Sequence, residues 1–332
     1  MTPATGLVFS NAINLASEAL GARAIEATDE FFAPKENLVK DAAPIYLPDE
    51  YTEQGKWMDG WESRRKRGNG HDWCIIRLGE RGIVRGLDID TSHFLGNQPP
   101  FASVDCSTDL ETWSPLLPQV PIRPGSSNLF IATAPQEATH LRLNLFPDGG
   151  VARLRAFGEV IPAWAPESDA SVPTKDGEVD LAALKNGGRA LVCSDSFFSS
   201  MNHLLLPAVG RNMGDGWETR RRQGRPYDDR PDWIVVALGA AGEVGLVEID
   251  TRHFRGNFPD RASLEGVHAP GLALTDLLET EWTPILDCTP LKAHARHFYR
   301  DEILAAGPFT HVRLRIYPDG GVSRLRIYGT RS

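Results

Sequence analysis

Apolar and polar residues alternate singly in several short stretches of the chain. In residues 140–145 (HLRLNL), Leu141, Leu143 and Leu145 take every second place, with Arg142 and Asn144 between them. Residues 311–316 repeat the pattern, with Val312, Leu314 and Ile316 set against Arg313 and Arg315. Cys74, Ile76 and Leu78 alternate in the same way, as do Ile234, Val236 and Leu238. A period of two turns one face of an extended strand toward a core and the other toward water. Helical periodicity is confined to short pieces near residues 15–20 and 181–186. The Pro-Asp-Gly-Gly runs at 147–150 and 318–321 predict hairpin turns, because proline fixes φ and glycine accepts positive φ. These patterns predict an all-β chain of antiparallel sandwiches, with the arginines after each Pro-Asp-Gly-Gly run (Arg153, Arg155, Arg324, Arg326) on a solvent-facing or inter-domain surface.

The strands belong to a duplicated unit. Residues 21–38 match 187–204 at an offset of 166, and DGWESRR (59–65) matches DGWETRR (215–221) at 156. Asp72-Trp73 matches Asp232-Trp233 at 160, as DIDTSHFLGN (88–97) matches EIDTRHFRGN (248–257). Residues 140–158 match 311–329 at 171. The drifting offset marks loop insertions, and one of them sets GRPYDDRP (224–231) where the first copy has only Gly68-Asn69-Gly70-His71. So long a period rules out a solenoid, and each copy must bury its own core. Residues 161–180 are rich in proline, serine and acids and divide the copies. The expected organisation is a first repeat at 1–165, a linker at 166–175 and a second repeat at 176–332.

Length and charge narrow the function. At 332 residues there is room for two ordinary domains. A formal charge of −9 argues against a nucleic-acid partner, though not against a small anion held by a local arginine cluster. The four cysteines (74, 106, 193, 288) form no C-x-x-C pair and read as free thiols in a reducing compartment. No apolar run approaches a membrane span, and the first 21 residues lack the charge and apolar pattern of a secretory signal. The expected location is the cytoplasm, with no membrane partner; a homo-oligomer is compatible with the sequence.

Two constellations could carry chemistry. The first is the tryptophan loop, in which Trp61 and Trp217 read as anchoring aromatics. Its arginines, Arg64, Arg65, Arg220 and Arg221, are either a solvated face balanced by Asp59, Glu62, Asp215 and Glu218 or a fork gripping a carboxylate. In the second, Leu87 and Ile89 point inward, which turns Asp88 and Asp90 to the opposite face. Asp90, Thr91, His93 and Asn97, repeated as Asp250, Thr251, His253 and Asn257, form either a capped turn or an acid and an imidazole poised to exchange protons. No third metal ligand stands at a diagnostic spacing, and no nucleophile elbow or phosphate-binding loop appears, so no metal or other cofactor is expected.

The ordered, doubled set D-G-W-E-[ST]-R-R, D-W, I-D-T-x-H-F-x-G-N and P-D-G-G-V-x-R-L-R resembles the allantoicase family across residues 15–329. Each half is also similar to galactose-binding or discoidin-type domains. The resemblance implies two tandem jelly-roll β-sandwiches and a hydrolase acting on linear amidines, which cleaves allantoate to ureidoglycolate and urea in purine degradation. Chemistry then suggests roles. Arg64 and Arg65, or Arg220 and Arg221, would hold the carboxylate, with Asn97 or Asn257 on the ureido groups. His93 or His253 would protonate the departing urea, while Glu62, Asp90, Glu218 or Asp250 activates water. The competing readings are a non-enzymatic tandem module binding a sugar or small anion and a scaffold that uses the repeat for assembly. Which copy holds the site stays open.

Overall fold

The computed structural model describes Phe9 and residues 12–221 and 230–332; most of the 224–231 loop lies outside the described residues. The chain divides into two units, Met1–Pro162 and Ala163–Ser332. Both are all-β, and none of the described helices is long and apolar enough to cross a membrane.

The first unit contains β1 (Ile13–Asn14), β2 (Arg23–Ala27), β3 (Tyr51–Thr52), β4 (Gly55–Lys56), β5 (Trp61–Glu62), β6 (Asp72–Asp90), β7 (Phe101–Ser107), β8 (Ser114–Pro121), β9 (Leu129–Phe146), β10 (Gly150–Val151) and β11 (Arg153–Val160). Strand β6 is 19 residues long, too long for a single layer of a domain this size. Residues 72–77 of it pair with β2 and with the end of β9, and after a register break it continues from Gly82 alongside β11 and the start of β9. The long strands β6 and β9 therefore carry the chain from one layer of the sandwich to the other, as corner strands do. The sheet order is β1-β11-β6-β9-β7-β8, with β2 on β6.

The second unit repeats the plan with β12 (Val179–Asp180), β13 (Arg189–Cys193), β14 (Trp217–Glu218), β15 (Asp232–Asp250), β16 (Arg261–Val267), β17 (Thr283–Pro290), β18 (Arg296–Tyr299), β19 (Phe309–Tyr317), β20 (Gly321–Val322) and β21 (Arg324–Arg331). Its order is β12-β21-β15-β19-β16-β17, with β13 and β18 both on β15. Within the stretch expected to be a linker, Val172 packs on Leu246 and Tyr328, and Asp169 pairs with Arg296 at 2.9 Å.

The period-two stretches bury the predicted faces. Leu141, Leu143 and Leu145 in β9, and Val312, Leu314 and Ile316 in β19, are wholly inaccessible. Each such side chain contributes about 1.5–3 kcal/mol of apolar burial. Two expectations need correction. The Pro-Asp-Gly-Gly runs do not close hairpins, because the strands on either side of each run (β9 and β11, β19 and β21) both flank the same long strand. The run instead sends β10 across to pair with β5, and β20 with β14.

Of the arginines after those runs, Arg153, Arg324 and Arg326 are not at a surface, while Arg155 is part-buried. Arg153 is 0% exposed and Arg324 2%. Strict alternation misleads here because a loop covers the outer face of the sheet. Arg153 donates to Asp59 Oδ2 (2.7 Å), to the Asp59 carbonyl (3.0 Å) and to the Ala42 carbonyl (3.0 Å). Arg324 likewise binds the carbonyls of Ala208 and Asp215, and Arg326 those of Leu206 and Pro207. These guanidinium groups spend their donors on loop carbonyls and so tie the loop to the sheet. Asp88 and Asp90, on the face opposite Leu87 and Ile89, are buried as well, and Asp88 accepts from the Ser127 hydroxyl and the Asn128 amide.

Burial alone would raise the carboxyl pKa of Asp59; the hydrogen bond from Arg153, the Ile45 amide and the charges of Arg153 and Lys40 together hold it below the ordinary carboxylate value. A lowered folded-state pKa contributes stability that is present above the unfolded value of about 3.9 and lost as pH falls through the folded one. Asp59→Ala should therefore cost the first unit about 3–5 kcal/mol in urea unfolding at neutral pH, by stranding Arg153 without a counter-charge, and the deficit should shrink in acid.

Candidate active site

Three sequence motifs meet at one end of each sandwich. Trp61 and Trp217 are fully buried anchors whose indole N–H groups donate to the carbonyls of Asp29 (2.8 Å) and Asp195 (2.9 Å). They fix the short strands that carry Glu62 and Glu218. The Asp-Thr-x-His turn is held from within: Asp90 accepts from the Ser92 amide (2.8 Å), and the Thr91 hydroxyl donates to the Arg123 carbonyl (2.7 Å). His93 sits at φ 71° and His253 at φ 73°, left-handed positions uncommon for residues with a side chain. The diglycine closes the assembly. Gly150 donates its N–H to the Asn97 carbonyl (2.7 Å), and a Cβ there would lie 2.1 Å from the Phe94 ring.

In the first unit this junction opens onto a cavity of about 490 Å³ whose wall includes Glu62, His93 and Asn97, together with Phe32, Tyr46, Lys56 and Met58. That volume lies within the usual range for small-molecule sites. Glu62 is half-buried, and its Oε1 accepts from Asn97 Nδ2 at 2.7 Å. Loss of solvation pushes its carboxyl pKa up, and the Asn97 hydrogen bond opposes the rise. The Nε2 of His93 lies 3.1 Å from the Pro44 carbonyl, which can only accept, so this nitrogen donates. The Tyr46 ring stacks on the imidazole with centroids 5.6 Å apart, and Lys56 Nζ lies 4.5 Å from the Tyr46 ring centre.

The second unit keeps part of this arrangement. Glu218 accepts from Asn257, and His253 Nε2 donates to the Gly210 carbonyl at 2.7 Å. Its covering loop is shorter: 20 residues separate Leu38 from Asp59, but only 10 separate Leu204 from Asp215. Tyr46 and Lys56 belong to the extra length.

The remaining candidates lie elsewhere. Arg64 is bound to Asp29 (2.7 Å) and lies over the Phe31 ring, Arg65 is exposed, and neither lines the cavity. Arg220 covers Phe197, and Arg221 reaches the Gly256 carbonyl at 3.4 Å. Asp90 is committed to its own turn. Asp250 is buried against Arg252 (2.7 Å) on the wall of a separate, smaller cavity of about 210 Å³ in the second unit, shared with Glu248, Arg324 and Arg326. Sequence reasoning missed Phe32, Tyr46, Lys56 and Met58. The fall in repeat offset from 166 to 156 is the signal that pointed to the segment holding the last three.

Both halves match a family model described as the allantoicase repeat, over residues 13–161 and 179–332. The chain belongs to the allantoicase family. A probable allantoicase of Photobacterium profundum is 46% identical to it, with 98% of each chain covered. One from Burkholderia pseudomallei is 44% identical over 96% of this chain and 94% of its own. Among solved structures, the allantoicase of Saccharomyces cerevisiae superposes with a TM-score of 0.82 at 33% identity, covering 99% of this chain and 98% of its own. The resemblance of family motifs is thus matched by the fold. Because the diglycine locks the family's three motifs together, Gly150→Ala should lower the urea midpoint of the first unit by an amount equivalent to about 1–3 kcal/mol through collision with Phe94.

Proposed function

We propose that this protein is an allantoicase, hydrolysing allantoate to ureidoglycolate and urea, and that the first-unit cavity is its site. The reading is carried by the convergence of Glu62, His93 and Asn97 on one cavity, in a chain matched nearly end to end by probable allantoicases. A non-enzymatic binding module is not favoured by such relatives. The free thiols of Cys74, Cys106, Cys193 and Cys288 support a cytoplasmic location.

Allantoate carries two ureido groups and a carboxylate on one carbon. Hydrolysis makes a carbon–oxygen bond from water and breaks one carbon–nitrogen bond. The water must lose a proton and the departing urea nitrogen must gain one. Glu62 is the base: Asn97 holds one carboxylate oxygen, and the other receives the proton of water. His93 is the acid, giving the Nδ1 proton of its imidazolium to the leaving nitrogen while Nε2–H stays on the Pro44 carbonyl. The same two groups serve whether water displaces urea directly or adds to an imine left by its departure.

Purified protein mixed with allantoate should release urea stoichiometrically with ureidoglycolate; no urea would overturn the reading. Glu62→Gln should lower kcat by about 10²–10⁴-fold with little change in KM. The base must be ionised, so activity should fall on the acid side through a pKa above that of an ordinary glutamate. Asn97→Ala removes the hydrogen bond that favours the carboxylate, and should move that acid limb to higher pH in a kcat/KM profile.

A further inference from the structure

We infer that Lys56, presented by a loop extension found only in the first unit, binds the substrate carboxylate and sets specificity for an anionic diureide. The inference rests on the proposed allantoate chemistry and replaces the arginine fork as the anchoring group. The Arg64 guanidinium is paired with the Asp29 carboxylate and lies over the Phe31 ring, and it does not line the cavity. Lys56 does line the cavity, and among the described residues it forms no ion pair with any carboxylate.

Its position is built rather than incidental. Lys56 ends the small hairpin in which Tyr51 pairs with Lys56 and Thr52 with Gly55, and the Trp57 amide ties the hairpin base to the Glu50 carbonyl at 3.1 Å. The ammonium donates to the Tyr46 hydroxyl at 2.5 Å. An ammonium has three donors and a phenol one, so this pair offers a carboxylate two N–H groups and an O–H. Tyr46 also stacks on His93, which fixes the distance between the carboxylate seat and the proposed proton donor. The second unit lacks the extension, and the cation on its shorter loop, Arg211, is already paired with Asp215 at 3.3 Å. Allantoate has one charged group and two neutral ureido arms. A single unpaired cation beside an acid–base pair matches that charge distribution.

Steady-state kinetics of Lys56→Ala, Lys56→Arg and Tyr46→Phe test this, using allantoate and its neutral carboxamide analogue. Lys56→Ala should raise KM for allantoate by about 10- to 100-fold, the worth of a charged hydrogen bond, with kcat reduced far less. Lys56→Arg should recover part of the loss, and Tyr46→Phe should raise KM by a smaller factor. The carboxamide should be a poor substrate for the wild type and no poorer for Lys56→Ala. An active wild type whose KM is unmoved by Lys56→Ala would overturn this inference while leaving the hydrolytic function standing. An equal loss on both substrates would do the same, since it signals a structural role. A wild type that releases no urea would overturn both.

Discussion

A guanidinium buried in a β-sandwich must find its counter-charge and its acceptors where it lies, and Arg153 is such a group. Its bonds reach Asp59 and the Ala42 carbonyl, which bracket the loop that covers the outer face of the sheet. That loop cannot be repositioned without stranding a charge in a region of low polarity, at a cost of several kcal/mol. Glu62 follows Asp59 by three residues and Tyr46 follows Ala42 by four, so the ion pair fixes the frame in which the glutamate, the phenol and the ammonium line one cavity. The second unit applies the same constraint through Arg324, whose contacts fall on Ala208 and Asp215. Shared scaffold explains why both copies keep Asp-Gly-Trp, Pro-Asp-Gly-Gly and Arg-Leu-Arg: those segments touch each other in either unit.

Alternation read the strands well, because a sheet with one face in a core imposes a period of two that nothing else in the chain obscures. Leu141, Leu143 and Leu145 are where that logic puts them. It failed at Arg153 because alternation reports the face a side chain takes, and says nothing about what a distant loop later lays over that face. The hairpin reading of Pro-Asp-Gly-Gly failed similarly. Turn chemistry gives the local bend, while the partner strand is chosen by which neighbour β6 has free.

The candidate site was legible in part. Glu62, His93 and Asn97 stood out because they recur at matching places in both copies, and the cavity gathers all three. Arginine pairs drew attention as anion binders by residue type, yet Arg64 satisfies its charge locally on Asp29, a residue 35 positions earlier that no spacing argument links to it. Tyr46 and Lys56 have no counterpart in the other copy to match, and comparing the copies marks only the extra length that holds them. Matching repeats reveal what a fold needs; what one copy alone possesses is where function can diverge.

The histidines carry that divergence further. His93 and His253 share a strained left-handed backbone and each donates Nε2–H to a loop carbonyl, Pro44 in one unit and Gly210 in the other. Their surroundings differ. His93 faces a phenol ring that itself carries an ammonium, whereas His253 meets His294, whose Nδ1 accepts the His253 backbone N–H at 2.8 Å. The same turn thus presents its imidazole to different neighbours in the two units, so matching sequence in the copies does not give the ring matching surroundings.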